Sequence, residues 1–405
     1  MTKLTTDLHS VKLLGLLVSI IGTAFSISAC SIGIGIYITA LVIEIIFQKK
    51  IPKEILPFPL LFAVLIGSLL VSVMISDYHN ESIRGFFKYI QGFVLLICCR
   101  DTLKETRHIH TVIVTILLCT ACTWVDALWQ ERYGVDFIRG QAYHVLRIGY
   151  YRLTGPYPHP NDYAIYLIPG LLLIFSLALK SFKNKQGIAS ASLTALLMIG
   201  LYVFYRTNSR GAVISLALGW ILMMILKREF KICLIVLGLV IFSSLWMPAL
   251  VIQRFTSLLD ISSGTTPERL LLMKIAWNMI QASPWFGLGL NTYSKNYERF
   301  KPEEYEAYMY THNGYLQLGA ESGLIGLGLL LLFIGCIVIM AFKKYAASPS
   351  TSNTLFVEFF AATLAILVSG LFESIFQSSQ LRTLLWICLG TASACAHQLR
   401  NERHA

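Results

Sequence analysis

Charge is scarce in this chain. Only 14% of its 405 residues are Asp, Glu, Lys or Arg, against about 25% in an ordinary soluble domain, while 56% are hydrophobic and the mean hydropathy is +0.65. A water-soluble globule is thereby excluded. Metal and disulfide signatures are lacking too. The cysteines, Cys98-Cys99 and Cys119/Cys122 included, have neither histidine partners nor paired CxxC repeats, so they read as small packing residues. No cleavable signal peptide is expected, since the first apolar run lacks a small-residue cleavage site with a soluble domain behind it. Soluble domains, internal repeats and low-complexity segments are also missing, and no nucleic-acid partner is expected.

What the chain does have is apolar runs of about 17 to 25 residues, enough to cross a bilayer as a helix. Twelve are predicted, at 11–30, 31–47, 55–76, 84–99, 109–128, 161–180, 188–205, 211–227, 230–247, 313–342, 354–375 and 380–398. The expected fold is an all-α, polytopic membrane helix bundle, with residues 1–405 forming one integral membrane domain. Two longer connections, 129–160 and 248–312, face the side away from the termini. The second holds Trp277, Trp285, Tyr293 and Tyr297, too aromatic for a disordered segment. Within it, Pro267 to Ala282 has a helix start at Thr266-Pro267 and an amphipathic pattern, which predicts a helix capping the bundle.

The basic residues sort by type as well as by side. Lys3, Lys12, Lys49, Lys50, Lys53, Lys104, Lys180, Lys183, Lys185, Lys227, Lys231, Lys343 and Lys344 fall on the side of the termini, which the positive-inside rule makes cytoplasmic. The other side holds four lysines but eleven arginines, among them Arg152, Arg206, Arg210, Arg269 and Arg382. Arginine's planar fork matches phosphate and carboxylate oxygens, so an Arg-rich outer face suits an enzyme handling a phosphorylated lipid. The plainer alternative pairs each with a local acid such as Asp136, Asp260 or Glu303.

Four stretches carry candidate chemistry. In YYRLTGPYPHPNDYAIYL, prolines at 156, 158 and 160 forbid a helix, and Asn161 and Asp162 can cap the next one. Arg152, His159 and that helix N-terminus would make an anion-friendly corner, or simply a rigid turn. In YRTNSRGAVISLALG, the segment Arg206–Arg210 joins two spans and holds Arg210 at the membrane face, as a ligand group or as a headgroup-seeking side chain. In TTPERLLLMKIAWNMIQA, Arg269 sits in a first helical turn, where a cation opposes the helix dipole. A phosphate, or Glu268, could favour it there.

The fourth stretch is THNGYLQLGAESGLIGLG. His312 should top a helix with Tyr315 on its face and Gly319/Gly323 forming a close-packing GxxxG pair. Glu321, nine residues on and about 900° round the helix, is better placed to anchor a neighbouring helix or loop than to touch His312. A neutral imidazole there can take a proton from a sugar hydroxyl, or merely hydrogen-bond loop backbone.

Together SRGA, ERLLLMKIAWNMIQASPWFGLG, THNGYLQLGAESGLIGLG and, upstream, RLTGPYPHPND resemble the O-antigen ligase and polymerase superfamily of bacterial glycan-assembly enzymes, over residues 145–330. The resemblance implies a metal-independent, inverting glycosyl transfer without cofactor at the periplasmic face of the inner membrane. The donor would be a glycan on undecaprenyl pyrophosphate and the acceptor, in ligases, a sugar hydroxyl of lipid A core. It also implies that Arg210 and Arg269 hold the pyrophosphate, that His312 activates or orients the acceptor hydroxyl, and that Arg152, His159, Asn161, Tyr315 and Glu321 line the substrate cavity. No Asp-x-Asp pair for a divalent cation occurs in the outer segments. A polymerase acting on the same carrier is the nearest alternative. A polyprenyl-glycan flippase or transporter is the alternative of another class, and it would place ionisable residues deep within helices.

Overall fold

The structure is a computed structural model that describes residues 2–49, 56–145, 151–232, 266–303, 310–347 and 354–401. Its helices are α1 (Thr2–Phe25), α2 (Ile27–Gln48), α3 (Pro59–Met74), α4 (His79–Thr102), α5 (Thr106–Tyr133), α6 (Pro160–Lys183), α7 (Gly187–Thr207), α8 (Arg210–Leu226), α9 (Thr266–Ala282), α10 (Tyr293–Phe300), α11 (Gly314–Ala346), α12 (Thr354–Ser369) and α13 (Ser379–Asn401). Two-residue strands β1 (His144–Val145) and β2 (Tyr151–Arg152) pair antiparallel in the connection after α5. Seven helices are long and apolar enough to span a bilayer, and α3, α8 and Leu355–Ser369 of α12 are shorter apolar helices. The chain is an all-α polytopic membrane protein. The predicted span at 230–247 lies almost wholly outside the described residues, as do Asp260 and Arg254.

Burial separates the centre of the bundle from its lipid-facing rim. In α6, 72% of the apolar window is buried, but in α7 only 17%, so α6 is central and α7 peripheral. Helix α13 is the other central helix, buried from Gln380 through Ala396 and packed on α4, α11 and α12. Lipid tails are as apolar as leucine, so helices in a bilayer gain from close approach rather than from hydrophobic burial. Small residues provide it: a Cβ on Gly92 would overlap the Trp386 indole, and one on Gly390 would come within 2.7 Å of Cys99 Cβ.

Several boundaries and roles differ from the sequence expectation. The first hairpin turns at Ser26 rather than at residue 30, because extended Ser26 caps α2 by accepting from the Ala29 amide. Arg206 belongs to the last turn of α7, and only Asn208, in the left-handed conformation, and Ser209 separate it from α8. Lys12 is no loop lysine. It is buried inside α1 and donates to Asp101 at 2.6 Å and to Glu44, a pairing that lets charge sit inside the bundle.

Gly319 and Gly323 do not form the expected GxxxG pair. Gly319 faces Ile280 of α9, whereas Gly323 has φ 69 and ψ 177 and breaks α11. The freed backbone groups are satisfied by residues 284–289, which insert beside the break. Leu324 N donates to Pro284 O at 2.7 Å, Ile325 N to Trp285 O at 3.2 Å, Leu288 N to Ala320 O and Gly289 N to Glu321 O, both at 3.0 Å. Gly287, at φ 71, lies against Glu321 and Gly323, and Gly323 lies against Trp285 and Phe286. Only residues without a Cβ permit this contact, so the two glycine-rich motifs fit each other.

A convergent candidate active site

One carboxylate bonds three of the eight expected site residues directly and a fourth through Asn161, and it is one the sequence reading did not include. Glu373 lies in the connection between α12 and α13. Its Oε2 is 2.9 Å from His312 Nδ1. Its Oε1 accepts from Asn161 Nδ2 at 2.6 Å and from Arg269 Nη2 at 3.1 Å. Asn161 Oδ1 in turn accepts from the Arg152 guanidinium, whose Nε donates to Thr207 O at 2.8 Å. Arg269 Nη1 reaches Phe372 O at 3.4 Å.

The backbone explains why these side chains meet. His312 takes the left-handed conformation, φ 50, rarely adopted by non-glycine residues and costing about 1–2 kcal/mol. This turn presents the imidazole to Glu373 and frees Asn313, rather than His312, to cap α11. Asn313 Oδ1 accepts from the amides of Tyr315 and Leu316 at 3.1 and 3.0 Å. Gly314 N donates to Gly370 O and Glu373 O, and Tyr315 OH to Leu367 O at 2.5 Å, which ties the head of α11 to the α12–α13 connection. Asn161 does not cap α6 as expected; its amide is taken up by Arg152 and Glu373, and His159 is the cap position without a side-chain cap bond.

Four helix N-termini meet at this point. Asn161 is in the first turn of α6, Arg269 in that of α9, and Gly314 opens α11. At α8, Arg210 is the first residue, and a Cβ on the adjacent Gly211 would stand 2.6 Å from Phe372 Cβ. Each N-terminus carries a partial positive charge, so Arg210 and Arg269 add full charges where helix dipoles already disfavour them. An anion is what such a place stabilises.

Glu373 stays ionised in this setting. Burial alone would raise its pKa, but the hydrogen bond and charge of His312 and the charges of Arg269 and Arg152 prevail and hold it below the ordinary value. His159 stands at the rim. Partial desolvation lowers its pKa, opposed by Glu373 and reinforced by His312 and Arg152.

Not every outer arginine joins the cluster. Arg206 pairs with Glu131 and Arg299 with Asp77, while Arg139 donates to Phe25 O and Arg382 to Phe376 O. Asp136 spends its oxygens on the Arg139 and Gln141 amides. Glu321 stands apart from His312, buried beside the α11 break, where it accepts from the Asn291 and Tyr293 amides at 2.9 and 3.2 Å. Among the described residues, no group of three or more His, Cys, Asp or Glu could hold a metal ion.

Residues 193–331, which contain Arg210, Arg269 and His312, match the family model described as O-antigen ligase. A curated O-antigen ligase of Salmonella typhimurium strain LT2 is 25% identical over 381 residues, 84% of this chain and 85% of that protein. The chain is thus similar to O-antigen ligases, over this segment and over most of its length. Its apolar helices make it a multi-pass membrane protein, and the proteins it resembles are described as O-antigen ligases. Asn161, Arg152 and Glu373 lie outside the segment matched to the family model, and the fold brings them to it. A chain of a solved structure described as "Structural coordination of polymerization and crosslinking by a peptidoglycan synthase complex" aligns over 84% of this chain and 97% of its own at 14% identity. Its TM-score is 0.45, a likeness too slight to bear on fold or function.

Proposed function

We propose that the protein is an O-antigen ligase that moves a glycan from undecaprenyl pyrophosphate to a sugar hydroxyl of lipid A core. The observation that carries this reading is the meeting of Arg269, Arg152 and Asn161 at a histidine hydrogen-bonded to an ionised carboxylate, with the start of α8, and so Arg210, next to Phe372. The lysine-rich ends of the helices face the cytoplasm together with both termini, and the cluster faces the periplasm.

In the proposed reaction the acceptor hydroxyl oxygen attacks the anomeric carbon from the face opposite the pyrophosphate. The bond from that carbon to the phosphate oxygen breaks, its electron pair leaves with the pyrophosphate, and the configuration inverts. The hydroxyl proton passes to His312 Nε2. A carboxylate can only accept, so Glu373 keeps the proton of neutral His312 on Nδ1 and leaves Nε2 open as the base. Negative charge grows on the pyrophosphate as the bond breaks, and the preorganised arginines and helix ends stabilise it without a metal ion. Asn161 holds Arg152 and Glu373 in register, His159 lines the rim, and Tyr315 and Glu321 support α11 and the loop after α9.

The transporter alternative finds less support. The buried ionic group Lys12–Glu44–Asp101 does place one lysine in the middle of α1, but its two acids lie near the ends of α2 and α4, and the three groups pair with one another rather than forming a path across the bundle.

The test is a gel of surface polysaccharide from a host lacking the gene, complemented with wild type or His312→Ala. A ligase leaves bare lipid A core while polymer accumulates on the carrier, and His312→Ala at normal expression does not restore the ladder. Single repeat units on the core without long chains would instead make the enzyme a polymerase. An unchanged profile would rule out both.

A further inference from the structure

Asn291 is held in the left-handed conformation, φ 59, shortly after Gly287 at φ 71 and Gly289 at φ 112. Glycine would suit this backbone better, so the side chain accounts for its place. Its Oδ1 accepts from Gln377 Nε2 at 3.1 Å and from Lys88 Nζ of α4 at 2.7 Å. Gln377 closes the turn that starts at Glu373.

The two sides of the Asn291–Gln377 bond are unequal. On the Asn291 side the main chain is fixed without it. Asn291 N donates to Glu321 Oε2 at 2.9 Å, Tyr293 N to Glu321 Oε1 at 3.2 Å and Leu290 N to Ser82 Oγ at 2.9 Å, and a Cβ on Gly85 of α4 would stand 2.8 Å from Asn291 Cβ. This segment is a rigid mount fastened to α4 and α11. On the Gln377 side the chain is a turn between α12 and α13. Ile375 N donates to Glu373 O at 2.9 Å and Gln377 N to Ser374 O at 3.0 Å, so movement at Gln377 is passed to Glu373.

One end of this turn therefore bears the carboxylate that meets His312, Asn161 and Arg269, and the other end is tied to the mount. The tie matters most when substrate arrives. As Arg269 engages a phosphate, a carboxylate on a loose turn would follow the guanidinium instead of staying on the imidazole.

We propose that Asn291 is a positioning residue of the transfer reaction: through Gln377 it fixes the turn that carries Glu373 and so keeps that carboxylate on His312 Nδ1. This rests on the glycosyl-transfer reading above.

The test is glycan transfer by the purified full-length protein, from polyprenyl-pyrophosphate-linked O-antigen to lipid A core glycolipid, in steady state and in a single turnover. Asn291→Gly keeps the left-handed backbone and its amide and removes only the acceptor. The expected result is a fall in kcat of roughly 10- to 100-fold, with both KM values within about twofold and a melting temperature near wild type. Gln377→Ala, on the other side of the bond, is expected to do the same, and the two changes together to cost no more than either alone, because they break one bond. In a Glu373→Gln background, Asn291→Gly is expected to lower the single-turnover rate no further. A purely structural defect would lower the melting temperature and multiply with the loss from Glu373→Gln. Either that outcome or a kcat near wild type in both single variants overturns the positioning role while leaving the ligase function standing. A wild type that ignores the glycolipid but lengthens carrier-linked glycan overturns the ligase reading alone, and the same comparisons then apply to that reaction. A wild type that does neither overturns the transfer reading and the positioning role with it.

Discussion

His312 Nδ1 and Glu373 Oε2 stand 2.9 Å apart across 61 residues of sequence. This contact sets the imidazole tautomer. Replacing the carboxylate by a carboxamide would let a donor face Nδ1 and favour the tautomer in which Nε2 carries the proton and cannot act as base. For Glu373→Gln the expected outcome is a fall in kcat of about 10²- to 10⁴-fold, with donor binding much less affected. Single-turnover glycan transfer measures it, and a rate near wild type would remove Glu373 from the reaction.

The same group makes stability depend on pH. Its folded-state pKa lies below the ordinary 4.5, so the ionised carboxylate stabilises the fold fully above that value, and the contribution disappears as pH falls through the lower, folded-state pKa. Wild type should therefore melt above Glu373→Gln at pH 7, and the gap should narrow below pH 4.5. A gap that is constant through this range would mean that the charge of Glu373 is not what its partners hold.

Lysine should not replace the arginines. Arg269 uses two guanidinium nitrogens in two directions, toward Glu373 and Phe372 O, and one ammonium cannot cover both and still face a phosphate. Arg269→Lys and Arg210→Lys are expected to lower kcat by roughly 10²- to 10³-fold. Chelator should leave the wild-type rate unchanged. Inhibition by chelator that magnesium or manganese reverses would give the phosphate-neutralising role to a cation instead.

Gly323→Ala should damage the fold more than the chemistry. Its φ of 69 costs an alanine about 1–2 kcal/mol, and the added methyl would overlap Trp285 O. A drop in melting temperature and in detergent-extracted yield is expected, with residual protein still binding donor. An unaltered melting temperature would mean that the inserted loop is free to retreat.

The helices are legible in the sequence because length and hydropathy are local properties. So is the capping helix, which ends at Ala282 as its pattern predicts. Arg152, Asn161, Arg269 and His312 can each be singled out by residue type and position, but not their meeting, which depends on α6, α9, α11 and the α12–α13 connection at once. Glu373 escapes notice because it sits at the end of the apolar run 354–375, where it reads as a span boundary. Its cost so near the membrane is the available signal. Gly323 misleads for a related reason: small residues four apart mark a helix face in general, and only the inserted loop reveals a break.

That break bears on how substrates enter. Backbone amides that leave their helix within a bilayer have no water to return to, so residues 284–289 cannot peel away from α11 without stranding them. Helix α9 and the upper part of α11 are accordingly held to each other through the main chain as well as by side-chain packing. A lipid-borne substrate of the proposed reaction would then be expected to enter past other helices.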